Sequence, residues 1–146
     1  MKPRKLRIPL QAIERALGEL EEGQVLNRST HAMHAAGWAD CDGKLVLVRE
    51  DVGRHNALDK LIGALLRRNE DVARGFFVIT SRCSFEMVEK VAAAGGRVMI
   101  AISAPTSLAL ERARMHDITL AGIARSDSVA VFHGAERIVG TRQGSL

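Results

Sequence analysis

Apolar residues Leu10, Ile13, Leu17 and Leu20 recur at helical spacing between Pro9 and Gly23 and predict an opening amphipathic helix. The polar run Gln24 to Thr30 reads as a loop. His31 to Asp40 and Lys44 to Glu50 read as two strands joined by a tight turn at Asp42-Gly43. Beyond them the pattern becomes regular. Leu58, Leu61, Ile62, Leu65 and Leu66 form one broad stripe on a helix from about Gly53 to Arg68. A strand at Gly75–Ser81 and a helix at Ser84–Gly95 follow, the helix stopped by Gly95-Gly96. A strand at Arg97–Ser103, a helix from Thr106 to about Met115, and strands at Ile118–Ala124 and Ser128–His133 complete the pattern. The last residues read as a short polar tail. Continuous apolar strands alternating with helices require crossover connections and a largely parallel, covered sheet. The front hairpin makes that sheet mixed.

Composition narrows the function classes. The chain has 146 residues, one domain's worth, and 47% of them are apolar, enough for a core. Aromatics are only 3%, with no Tyr, which argues against base-stacking platforms for single-stranded nucleic acid. The net charge is +4, but Lys2, Arg4, Lys5 and Arg7 supply all of it. The basic balance therefore belongs to a head, residues 1–9, and the single domain at 10–146 is neutral. A neutral body does not follow a nucleic-acid backbone. No apolar run is long enough to span a membrane. Cys41 and Cys83 stand far apart and form neither a metal-type pair nor a disulfide framework, which fits a cytoplasmic, reducing location.

In an open parallel sheet, ligands sit beyond the carboxyl ends of the strands. The segments following the predicted strands are rich in chemistry. They hold Glu50 to Asn56, then Thr80 to Ser84, then Ser103 to Ser107, then Arg125 to Ser128. Ser, Thr and Asp before helices commonly serve as N-caps, and Asp51, Ser84 and Thr106 suit that role. Arg54, Arg82 and Arg125 at three such ends do not, since no cap requires Arg. Arginine beside free helix-start N–H groups suits a phosphate or another anion.

Within the stretch REDVGRHNALDK, Asp51, His55 and Asp59 follow an i, i+4, i+8 spacing. A carboxylate there would orient the imidazole and raise its pKa, giving an acid–base pair; an exposed helical ion pair is the plainer alternative. His31 and His34 lack further ligands at zinc spacing. Zinc deaminases need a His-x-Glu and a Cys pair, and neither is present. Cys83 begins a helix beside Arg82, which leaves two readings: a thiol of lowered pKa, or a small buried residue.

The run Glu50-Asp51-Val52-Gly53-Arg54-His55-Asn56-Ala57-Leu58-Asp59-Lys60-Leu61-Ile62-Gly63 closely resembles the signature of the formate dehydrogenase accessory protein family, FdhD, a sulfurtransferase family. Thr30-His31-Ala32, Ser81-Arg82-Cys83-Ser84-Phe85-Glu86-Met87-Val88, Ala101 to Ala109 and Ile118-Thr119-Leu120-Ala121-Gly122 resemble its other motifs in order. The resemblance implies a three-layer α-β-α domain with a mixed, mostly parallel sheet, cytidine-deaminase-like and without zinc. It implies a homodimer that takes sulfur from a cysteine desulfurase as a persulfide. The sulfur passes to the molybdenum cofactor, in its bis-molybdopterin guanine dinucleotide form, before delivery to apo-formate dehydrogenase.

Carried onto this chain, the resemblance and the polar edge together point to His31, Asp51, Arg54, His55, Ser81, Arg82, Ser103 and Thr106 as cofactor-binding residues. The guanine-nucleotide end is expected near Ile123, Ala124, Arg125, Ser126, Asp127 and Ser128, with GDP as its analogue. The family's Cys-x-x-Cys falls upstream of this chain, so the sequence reads as a fragment or a short relative. Ser126-Asp127 stands where the family has a Pro-Gly pair. Three functions remain open: a cofactor-binding sulfurtransferase domain, a non-catalytic chaperone of formate dehydrogenase, and a small hydrolase using Asp51 and His55, with Cys83 as a weaker catalytic candidate.

Overall fold

The structure, a computed structural model, describes residues 6–24, 34–125 and 128–140. Among these, the elements are β1 (Ile8–Pro9), α1 (Leu10–Gln24), β2 (His34–Asp40), β3 (Leu45–Asp51), α2 (Arg54–Arg67), β4 (Gly75–Ile79), α3 (Phe85–Ala93), β5 (Val98–Ala101), α4 (Ser107–His116), β6 (Thr119–Arg125), β7 (Ser128–His133) and β8 (Ile138–Val139). Single 3-10 turns, Val72–Arg74 and Ala135–Arg137, precede β4 and β8.

Strands β3-β2-β4-β5-β6-β7 form one sheet in that order. Four of them, β3 to β6, run in one direction, as the strand–helix alternation predicts, while β2 and β7 run against them. Parallel neighbours are confined to β4–β5 and β5–β6. The reason is the front hairpin: its first strand, β2, slots between β3 and β4 with reversed direction. The Asp42-Gly43 turn that makes the hairpin uses Gly43 at φ +84°, and a Cβ there would collide with the Ala12 backbone.

Alternate residues of each strand feed two separate cores. In β4, Phe77 and Ile79 pack with Leu58, Leu61 and Leu65 of α2, Val88 and Val91 of α3, and Ala109 and Ala113 of α4. Phe76 and Val78 point the other way, onto Ile13, Ala16, Leu17 and Leu20 of α1. Three helices thus cover one face and α1 the other, giving three layers. Each large side chain buried this way contributes about 1.5–3 kcal/mol. The buried Trp38 satisfies its indole N–H on the Val72 carbonyl at 3.2 Å.

One feature is absent from the periodic pattern. Ile8–Pro9 and Ile138–Val139 pair in parallel as a second, two-stranded sheet. Ile8 and Ile138 are buried in the α1-side core. The end of the basic head and part of the expected polar tail therefore belong to the folded body.

Candidate functional site

The carboxyl ends of β3, β4, β5 and β6 and the amino ends of β2 and β7 lie along one edge of the sheet. Helices α2, α3 and α4 all begin there. Each helix start leaves backbone N–H groups without intrahelical partners, and their positive dipole ends converge on the same edge.

At the end of β3, Asp51 accepts the Gly53 N–H on Oδ1 at 2.9 Å, while Lys60 Nζ lies 2.5 Å from Oδ2. The Lys60 contact first, and the Gly53 N–H second, hold the Asp51 carboxyl below the ordinary range. Asp51 is not the cap of α2. Gly53 occupies that position and has no side chain to offer. Asp59 pairs with Lys90 at 2.7 Å. Among the described residues, both carboxylates of the Asp51-His55-Asp59 spacing are therefore held by lysines rather than by His55. His34, at the start of β2, is the register partner of Asp51.

Arg54 opens α2, and its Nε is buried with no hydrogen-bond partner among the described residues. Ser84 sits at the N-cap of α3, but its Oγ caps nothing and is likewise buried without a partner. Thr106 does cap α4, its Oγ1 accepting the Ala109 N–H at 3.1 Å. Arg82 is exposed beside Cys83. Ser81 is 4% exposed. Ser103 donates its hydroxyl to the Ser81 carbonyl at 3.0 Å.

Cys83 is fully buried, and burial pushes its thiol up to about 12. Of the two readings of this residue, the small buried one holds. Cys41 is also raised, by burial first and then by Asp40 and Asp42. Both cysteines are free thiols.

In β6, Ile123 adopts a left-handed backbone, φ 51°, within a bulge opposite β7. Ala124 turns into the α1-side core, and Ser128, which starts β7, is exposed. Ser128 is in register with Arg125. His31, Ser126 and Asp127 lie outside the described residues. The structure adds Lys60, which the sequence reading did not place at the edge, and shows what Thr80 and Pro105 of that edge bond to. Lys60 grips Asp51. Thr80 holds the start of β2, with its Oγ1 accepting the Ala35 N–H at 2.9 Å. Pro105 bridges to Cys83. Their signal in sequence was position alone: Thr80 and Pro105 follow strands, and Lys60 lies inside the signature stretch. Among the described residues, no three His, Cys, Asp or Glu side chains gather as metal ligands do, and no helix is long and apolar enough to cross a membrane.

Helix starts, hydroxyls and arginines lie together at the one strand edge where open α/β sheets place their ligands. The chain's family is specific. The FdhD/NarQ family model matches residues 1–139, and the chain belongs to that family. It is 49% identical over 131 residues to the sulfur carrier protein FdhD of Bordetella bronchiseptica, covering 90% of this chain and 48% of the relative. It is 51% identical over 133 residues to that of Xanthomonas campestris pv. campestris, covering 91% and 47%. The chain thus spans about half the length of the curated relatives it matches. Among solved structures, a candidate formate dehydrogenase accessory protein from Desulfotalea psychrophila superposes with a TM-score of 0.86 at 31% identity, over 92% of this chain and 60% of that one.

Proposed function

We propose that this chain is the cofactor-binding domain of a formate dehydrogenase accessory sulfur carrier. It holds the bis-molybdopterin guanine dinucleotide cofactor as cargo at the strand edge, while sulfur is added and the cofactor is passed to apo-formate dehydrogenase. The observation that carries the reading is the pair of unsatisfied buried atoms, Arg54 Nε and Ser84 Oγ, at two helix starts on that edge. An unsatisfied buried polar group costs about 1–3 kcal/mol, a cost that a bound ligand removes. The ligand these groups suit is an anion. A guanidinium donates in a fixed fork that fits phosphate oxygens, and the helix-start N–H groups add donors. The names of the similar proteins, sulfur carrier FdhD and formate dehydrogenase accessory protein, support formate dehydrogenase as the partner and sulfur as what is carried; the molybdenum cofactor as cargo rests on the resemblance of the sequence motifs.

One observation favours the chaperone version of this reading. Neither Cys41 nor Cys83 offers a ready thiolate, because both are raised by burial. This chain therefore holds and presents the cofactor, and the persulfide received from a cysteine desulfurase rides on a thiol other than these two. The hydrolase reading gains no support, since Asp51 gives both oxygens to Lys60 and Gly53.

The test is to purify the chain from cells that make the cofactor, and to measure guanine nucleotide and molybdenum released from it. Both are expected at comparable occupancy. Neither being present would remove the reading. Mass spectrometry after incubation with a desulfurase and cysteine is expected to show no stable sulfur adduct on either cysteine.

A further inference from the structure

Two loops and a strand end lie at the carboxyl edge of the parallel strands, and they are joined to one another. Ser103 stands at the junction. Its hydroxyl donates to the Ser81 carbonyl, in the loop after β4, at 3.0 Å. Its own carbonyl accepts the N–H of Ile123, near the end of β6, at 3.2 Å. Around it, the pairing of β4 and β5 continues past the strands themselves. The Ile102 N–H reaches the Ile79 carbonyl at 3.1 Å, the Thr106 N–H reaches the Cys83 carbonyl at 3.1 Å, and Cys83 and Pro105 form an isolated parallel bridge. The starts of α3 and α4 are thereby tied together through backbone.

The β6 side shows how firmly this junction holds. Ile123 is β-branched, and a β-branched residue keeps a left-handed backbone only where its surroundings impose it. Core burial does not impose it here, because Ile123 is 42% exposed. What holds the residue is the contact with the β5 loop. Next to the bond from Ile123 to Ser103, Gly122 approaches that loop so closely that a Cβ would fall 2.8 Å from both Pro105 Cδ and the Ser103 carbonyl oxygen.

A serine hydroxyl has one proton to give. Ser103 gives its proton to Ser81, so it has none left for an anionic ligand. Its placement on the edge must then serve the ligand through its neighbours. We propose that Ser103 is a positioning residue. It locks the loops after β4 and β5 and the bent end of β6 into one rim, so that the starts of α3 and α4 hold a fixed spacing before the ligand arrives. This rests on the cofactor-binding reading for the identity of the ligand, but not for the existence of the lock. A rim set in advance loses less freedom on binding, which raises affinity without any new contact.

Two variants and two readouts test it, with GDP as the probe. Ser103→Ala removes the hydroxyl, and Ser103→Thr keeps one. In Ser103→Ala, hydrogen exchange at the Ile123 and Thr106 amides is expected to accelerate several-fold, while the Ile100 amide in the middle of β5 is unchanged. GDP affinity is expected to fall by roughly fivefold, the net effect of one hydrogen bond. Ser103→Thr is expected to restore both. Unchanged exchange at Ile123 and Thr106 would overturn the lock. Accelerated exchange with unchanged GDP affinity would overturn the positioning role. Accelerated exchange in Ser103→Ala together with no GDP binding by the unaltered chain would support the lock and remove the cofactor reading instead.

Discussion

Lys60, in the middle of α2, reaches back to grip Asp51 at the end of β3, its Nζ 2.5 Å from Oδ2. The same lysine donates to the Glu50 carbonyl at 3.4 Å. A strand end and the helix that follows it are thus tied by one side chain, and Gly53 closes the turn between them on Asp51 Oδ1.

A pH dependence follows from that grip. The folded-state pKa of Asp51 lies below the unfolded value of about 3.9, with Lys60 the first cause. The stabilisation is therefore present above about pH 3.9 and is lost as pH falls through the depressed folded value. Lys60→Met is expected to shift acid unfolding to higher pH, as followed by circular dichroism. An unchanged midpoint would show that the pair contributes nothing.

Cys83 has the opposite sign. Its folded pKa of about 12 lies above the unfolded thiol value of about 8.5. Stability is thus unaffected below about pH 8.5 and falls as pH rises toward 12. Iodoacetamide at pH 8 is expected to modify Cys83 only after denaturation, and Cys83→Ala is expected to flatten the alkaline loss. Rapid labelling of Cys83 in the native protein would contradict its burial.

The β6 bulge gives two neighbouring substitutions of opposite effect. Gly122→Ala places a Cβ against Pro105 and the Ser103 carbonyl, and is expected to destabilise by about 1–3 kcal/mol. Ile123→Gly relieves a left-handed backbone, and is expected to stabilise by about 1 kcal/mol, because the lost side chain is half-exposed. Urea midpoints measure both. A destabilised Ile123→Gly would mean that the isoleucine side chain holds the bulge.

The elements of the main sheet were legible because their signals are periodic. The Leu58–Leu61–Leu65 stripe and the apolar runs of β4 and β5 leave little choice of structure. The β1–β8 pair was not legible, since two residues carry no period. The polar edge was visible as residues after strands, and the structure does bring Asp51, Arg54, Ser81, Arg82, Ser103 and Thr106 to one side of the sheet. Their bonding was not visible. Asp51 reads as a cap by its residue type, but Gly53 takes the position, and Ser84 sits at its cap without bonding. The Ser103 links to Ser81 and Ile123 join segments far apart in sequence, and only the tertiary fold brings them together.

The central proposal is that Arg54 and the helix starts hold an anion at the strand edge. Isothermal titration of GDP into the full chain and into Arg54→Gln tests it most directly. Saturable binding by the unaltered chain, weakened roughly tenfold or more in Arg54→Gln through loss of a charge-assisted hydrogen bond, is the predicted result. No saturable binding at millimolar GDP, or equal affinity in Arg54→Gln, would contradict it.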